Sequence, residues 1–189
     1  MIFNIEEKGS LLVKVGDHKS SVRQRIYKAG IFINKDRISC ENTDYEEIYD
    51  IIESEDLYAH ISYNKNGNIC FIDIDKPSIV SIDGKKNLFK EDYFKIYELI
   101  SKLDSKLIID NRGFISKKLM FGVHAPSFEC RYKNEEGYED YPEGEEGWSG
   151  EIASIYLFDQ PELSKLISTT KHDKNIKGKI DEYLLKVDI

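Results

Sequence analysis

Asp73 and Asp75 close an apolar run, Ile69-Cys70-Phe71-Ile72, in a chain of 189 residues. Alternate residues of an extended segment share a face, so the two carboxylates stand side by side there. Hard cations such as Mg2+ and Mn2+ take that oxygen donor set in metal-dependent hydrolases and nucleotide-processing enzymes, and His60 is the further group such a site would use. The same spacing also suits two strand-end carboxylates kept in water, which need no ligand. An EF-hand loop is excluded, because Pro77 and Ser78 stand where it requires a ligand and a glycine.

The second candidate chemistry is recognition. Residues 135–151 carry eight carboxylates and no Lys or Arg, together with the chain's single tryptophan, Trp148, and two tyrosines, Tyr138 and Tyr141. Four glycines and Pro142 forbid a regular helix, and such charge density resists burial, so an exposed loop is expected. Exposed large aromatics often anchor protein interfaces, and carboxylates around them steer and hold a basic partner. Tyr138, Tyr141 and Trp148 are the expected anchors, with Glu139, Asp140, Glu145 and Glu146 as steering and rim charges. A solvated loop with no partner has the same composition, and so does a Glu-rich Ca2+-binding loop.

The other reactive residues form no constellation. His18, His60, His124 and His172 are scattered over the length, and each reads first as a surface histidine or one satisfied in the core. His60-Ile61-Ser62 has the H-x-S form in which two-histidine phosphoesterases present an imidazole and a hydroxyl to phosphate. That chemistry needs the motif twice, and His124 is followed by Ala125-Pro126-Ser127. Cys130 lies beside Arg131, which favours a thiolate, but no histidine is placed near it and a buried structural thiol is expected. The chain holds no glycine-rich phosphate loop, no H-E-x-x-H, no G-x-S-x-G and no paired cysteine ligands, so no cofactor is expected.

A net charge of −8 argues against nucleic acid as the main partner, since phosphate binding needs clustered Lys and Arg. The charge is uneven: residues 41–75 hold ten carboxylates against Lys65 alone, and residues 119–158 hold nine against Arg131 and Lys133. Cys40, Cys70 and Cys130 cannot all pair within one chain, which fits a reducing compartment. The opening Met1-Ile2-Phe3-Asn4-Ile5-Glu6-Glu7 lacks the basic and apolar stretches of a signal peptide. No apolar run nears the ~20 residues of a membrane span, so a cytoplasmic location without membrane contact is expected.

These groups need a scaffold. Ile2-Phe3-Asn4-Ile5 and Leu11-Leu12-Val13-Lys14-Val15 read as two short strands around a turn at Lys8-Gly9-Ser10. Val22, Ile26 and Ala29 repeat at helical spacing between Asp17, the expected N-cap, and Gly30. Ile31-Phe32-Ile33 and Ile38-Ser39-Cys40 around Asn34-Lys35-Asp36-Arg37 read as a hairpin. Thr43 and Glu46 form a capping-box pattern ahead of Tyr45, Ile48, Tyr49 and Ile52, which predicts a helix ending in an acidic run at residues 53–56. Residues 57–63 and 69–74 flank Asn66-Gly67 as a hairpin, and Ile79-Val80-Ser81-Ile82 is expected to extend it as a meander.

A long amphipathic stripe predicts a helix over 88–103, and segments 107–109, 114–123, 128–132 and 152–158 read as strands. Asp159 is expected to cap a helix carrying Pro161 and Glu162 in its first turn, and Ile176, Ile180, Leu184 and Val187 mark a last helix. The expected fold is therefore α+β: a mainly antiparallel sheet of hairpins and meander with four to five amphipathic helices packed on it. It is expected as a single compact domain over 1–189, or two tightly joined lobes, 1–104 and 105–189. The expected function is a non-enzymatic protein-binding module, an inhibitor or immunity-type protein of a bacterium or phage. Its acidic, aromatic-bearing loop would cover a basic site on a partner such as a nuclease. The alternative is a metal-dependent hydrolase or nucleotide-processing enzyme using Asp73 and Asp75.

Overall fold

The structure, a computed structural model, describes residues 1–39, 46–84, 86–110, 113–125 and 152–169. Through them the chain runs β1 (Ile2–Asn4), α1 (Lys19–Lys28), β2 (Phe32–Ser39), β3 (Glu46–Ser54), β4 (Leu57–Tyr63), β5 (Ile69–Asp75) and β6 (Ile79–Ser81). A 3-10 turn at Leu88–Lys90 leads into α2 (Tyr93–Leu103), followed by β7 (Ile108–Asp110), β8 (Gly113–Ser116), β9 (Phe121–His124), β10 (Ser154–Phe158) and α3 (Gln160–Thr169). Eight strands form one antiparallel sheet in the order β2-β3-β4-β5-β10-β9-β8-β7, while β1 and β6 make a separate parallel pair. β10 lies between β5 and β9, so strands from before and after α2 share one sheet.

The β4–β5 hairpin forms as its sequence dictates. The Asn64 side chain accepts the N–H groups of Asn66 and Asn68 at 3.0 and 3.1 Å, and Gly67 supplies a φ of 77° that a side chain would oppose. Alternation then sorts the strands. Leu57, Ala59, Ile61, Ile72, Ile74, Ile155, Leu157, Phe121 and Val123 are all buried on one face. That face packs with Phe3, Val22, Ile26 and Val80 and with α2 in one core. Asp92 caps α2 by accepting from Phe94 N–H at 2.8 Å, and Tyr93 and Tyr97 meet the Phe114 ring at 5.7 and 6.0 Å. Each such buried side chain contributes about 1.5–3 kcal/mol by leaving water.

Asp50 stands on this core face of β3, fully buried, and it is satisfied there. Arg23 of α1 reaches it through Nε at 2.8 Å and Nη2 at 2.5 Å, and the Tyr63 hydroxyl donates to it at 2.7 Å. This fork fastens α1 to the sheet.

The expectation of four to five helices is corrected: among the described residues there are three α-helices beside the eight-stranded sheet. From Glu46 on, the helix expected from Thr43 is instead strand β3, paired on both sides by β2 and β4, while Thr43 itself lies outside the described residues. Its Ile-rich stretch carries apolar residues on both faces, which imitates helical spacing, and two neighbouring ladders outweigh a capping pattern. The hairpin expected at residues 31–40 is one strand, because Asn34-Lys35-Asp36-Arg37 continue β2 opposite Tyr49 to Ile51 and Ile48. β2 is an edge strand, where charged residues are tolerated and discourage further pairing.

Smaller departures follow the same logic. β6 leaves the meander to pair with β1, because the edge of β5 that it would extend is taken by β10, and the Ser78 hydroxyl bonds both backbone groups of Tyr58 at 2.8 Å at the turn between them. Residues 114–123 fold as the β8–β9 hairpin rather than one strand, with Met120 at a φ of 59° and the Ser116 hydroxyl accepting from Leu119 N–H. Of residues 11–15 only Lys14 pairs, in one isolated bridge to Gly9, and His18 rather than Asp17 is the N-cap of α1. Asp159 does cap α3, accepting from Glu162 N–H at 2.9 Å. The strand expected at 128–132 and the helix expected from Ile176 to Val187 lie outside the described residues.

Candidate functional site

The other face of the sheet changes character along its strands. At one end Phe158 and Leu163 are buried, and Phe71, Tyr156, Leu166 and Ile167 pack against them, so α3 seals that end as a second apolar cluster. At the other end the registers line up polar groups in two rows. One row runs Glu53, Tyr58, Asp75, Ser154, His124 across β3, β4, β5, β10 and β9. The next runs Ile51, His60, Asp73, Tyr156, Gly122. Neighbouring strands lie about 4.8 Å apart, so each group is one strand spacing from the next.

The rows are packed rather than loosely solvated. The His60 ring stacks on Tyr49 with centroids 5.6 Å apart and planes 8° from parallel, and its Nε2 lies 3.2 Å from the Tyr58 hydroxyl. Tyr156 stacks on Phe71 at 5.6 Å and lies across β9, over Gly122. A Cβ at position 122 would overlap the Tyr156 ring, which is the physical reason for glycine in the middle of that strand.

Burial, followed by opposing help from the Ser154 hydroxyl and from His60 and His124, leaves the Asp73 carboxyl above the usual aspartate range. Asp75 is raised as well, first by burial and then by the charge of Asp73. Asp73 Oδ1 and His124 Nε2 are both buried and find no hydrogen-bond partner among the described residues. A desolvated carboxylate oxygen without a donor is costly, and a fold that keeps one has a use for it or tolerates a penalty.

The segment expected to bind a partner is rooted on this same edge. Residues 126–151 connect Ala125, just after His124, to Ile152, just before Ser154; Ala125 and Ile152 are buried, and Ala153 N–H bonds to the His124 carbonyl at 2.9 Å. Tyr138, Glu139, Asp140, Tyr141, Glu145, Glu146 and Trp148 themselves lie outside the described residues, as do Cys40, Cys130 and His172.

The registers place Asp73 beside His60 and Asp75 beside Tyr58, and the topology adds Ser154 and His124. The sequence carries no signal for His124 and Ser154, because their approach depends on β10 entering between β5 and β9. Among the described residues no three His, Cys, Asp or Glu side chains converge as a metal-ligand group. His18 is structural, accepting from Ser20 N–H. Cys70 is buried and its thiol is pushed up to about 11, by burial first and then by Glu162 and Asp159, which makes it a poor nucleophile. No helix among the described residues is long and apolar enough to cross a membrane. No protein-family model, curated protein or solved structure matches the chain.

Proposed function

We propose that the protein is a non-enzymatic binding module that covers a basic site on another protein, such as the nucleic-acid-binding surface of a nuclease. The observation that supports this reading is the rooting of the acidic segment: both ends of residues 126–151 emerge at the row that holds Glu53, Asp75 and His124. The loop carboxylates and the sheet carboxylates then act as one negative field, which steers a cationic surface and orients it before contact. Tyr138, Tyr141 and Trp148 supply the desolvated anchors, and Glu139, Asp140, Glu145 and Glu146 the rim. A nuclease must expose cationic surface to its substrate, so a carboxylate-rich partner can take that surface over.

The test is affinity capture with the wild-type chain and with Tyr138→Ala/Trp148→Ala, followed by assay of the captured protein on nucleic acid. A basic protein held only by wild type, released by salt and silenced while bound is the expected result. Equal capture by both chains would remove the loop from the interface.

A second reading, hydrolysis or nucleotide processing at Asp73 and Asp75 with a divalent cation, is favoured by the pair of raised carboxyls beside His60 and His124. It requires that Mn2+ or Mg2+ raise the melting temperature of wild type and not of Asp73→Asn. EDTA would also have to abolish the hydrolysis.

A further inference from the structure

The two buried atoms on the polar face left without partners among the described residues, Asp73 Oδ1 and His124 Nε2, are of one kind. Asp73 Oδ1 accepts a hydrogen bond, and His124 Nε2 accepts one whenever the ring proton sits on Nδ1. They belong to strands on either side of β10, His124 in the row of Asp75 and Ser154 and Asp73 in the row next to it. What satisfies both must therefore donate at more than one point and carry positive charge toward two neighbouring carboxylates.

A divalent metal ion is a poor match. It draws its ligands to about 2.0–2.6 Å around one centre, and no three ligating side chains converge among the described residues. An ammonium holds its three donors on one compact, strongly hydrated nitrogen and has no plane to lie against a ring. A guanidinium is planar, presents five N–H donors in a fixed fork, pairs with carboxylates and stacks on rings. Rings are at hand, because Tyr49 and His60 lie parallel and Tyr58 leans on His60 with centroids 5.3 Å apart.

We propose that this face is a receptor for one guanidinium group, an arginine side chain of a basic partner, with Asp73 and Asp75 pairing its charge and His124 Nε2 accepting a further N–H. The stacked Tyr49 and His60 rings, with Tyr58 tilted against His60, give the aromatic surface beside it. This inference rests on the reading of the protein as a binder of basic partners, and it places a specific residue type at a specific point. It also gives the buried, undonated Asp73 oxygen a purpose that a solvated acidic loop does not.

The experiment uses the full chain and three tripeptides, Gly-Arg-Gly, Gly-Lys-Gly and Gly-citrulline-Gly, titrated by calorimetry and followed through the ring signals of His60 and His124 in NMR spectra. The arginine peptide is expected to bind and move both histidines. The lysine and citrulline peptides, and the arginine peptide on Asp73→Asn or Asp75→Asn, are expected to be weaker by about tenfold or more, as loss of a charge-assisted fork implies. Tyr138→Ala/Trp148→Ala is expected to keep arginine-peptide binding, so a loop that fails to capture a partner would overturn only the loop reading. Equal binding of the citrulline peptide, indifference to Asp73→Asn, or movement of the histidine signals by Mn2+ but not by the arginine peptide would each overturn the receptor.

Discussion

At the scale of single residues, two aspartates of the sheet are held in opposite ways, Asp50 on the core face and Asp73 half-buried on the polar face. Asp50 is fully buried and has Arg23 and Tyr63 around it, so its charge is matched on every side. Arg23→Ala leaves that carboxylate with the tyrosine hydroxyl alone and is expected to cost about 3–5 kcal/mol, measured by urea denaturation. Asp73 is half-buried with its Oδ1 unpartnered among the described residues, and its raised carboxyl reverses the usual pH trend. A carboxyl that holds its proton more tightly folded than unfolded gives its full stabilisation below about pH 3.9, the unfolded value, and loses it as pH rises through the folded value. Asp73→Asn is therefore expected to melt higher than wild type at neutral pH, with the difference shrinking toward about pH 4. A variant that melts lower at neutral pH would mean the carboxylate is stabilising after all. The carboxylate pair and His60 were legible as a candidate group, since strand alternation alone puts Asp73 and Asp75 on one face.

Among the elements, those that fold on local chemistry were legible. The β4–β5 hairpin follows from Asn64 and Gly67, α2 from its stripe, and α3 from Asp159. β3 was not, because Tyr45, Ile48, Tyr49 and Ile52 fall at helical spacing while Asp50 and Ile52 face the core and Tyr49 and Ile51 the opposite side. With half-buried Tyr49 and Ile51 on the face opposite Asp50 and Ile52, apolar residues stand on both sides of β3 and its sequence loses the alternation that would reveal it. The β9–β10 ladder was equally hidden, since sequence order says nothing of a strand inserted beside β5 from far along the chain. That ladder has its own test in Gly122. Gly122→Ala is expected to cost about 1–3 kcal/mol by displacing the Tyr156 ring. Tyr156→Ala in the same chain should recover much of the Gly122→Ala cost, so a double-mutant cycle by chemical denaturation reads the contact directly. Strictly additive losses would mean the ring does not lie over Gly122.

The whole molecule is a sheet with one face committed to the core and the other divided between an apolar end under α3 and a polar end that carries the root of the acidic segment. On the proposed reading, Glu53 and Asp75 at that end act on a partner together with the carboxylates of residues 135–151, whose segment leaves the sheet there. A partner drawn to that edge must be sensitive to screening, whose range falls from about 10 Å at 0.1 M salt to about 3 Å at 1 M. The deciding measurement is the association rate of the captured basic partner across that salt range, with wild type and with Glu139, Asp140, Glu145 and Glu146 neutralised to Gln and Asn. The rate is expected to fall by at least about tenfold with salt for wild type and to change little for the neutralised chain, because steering acts on encounter. A rate that is fast in both chains and indifferent to salt would contradict binding through an acidic edge.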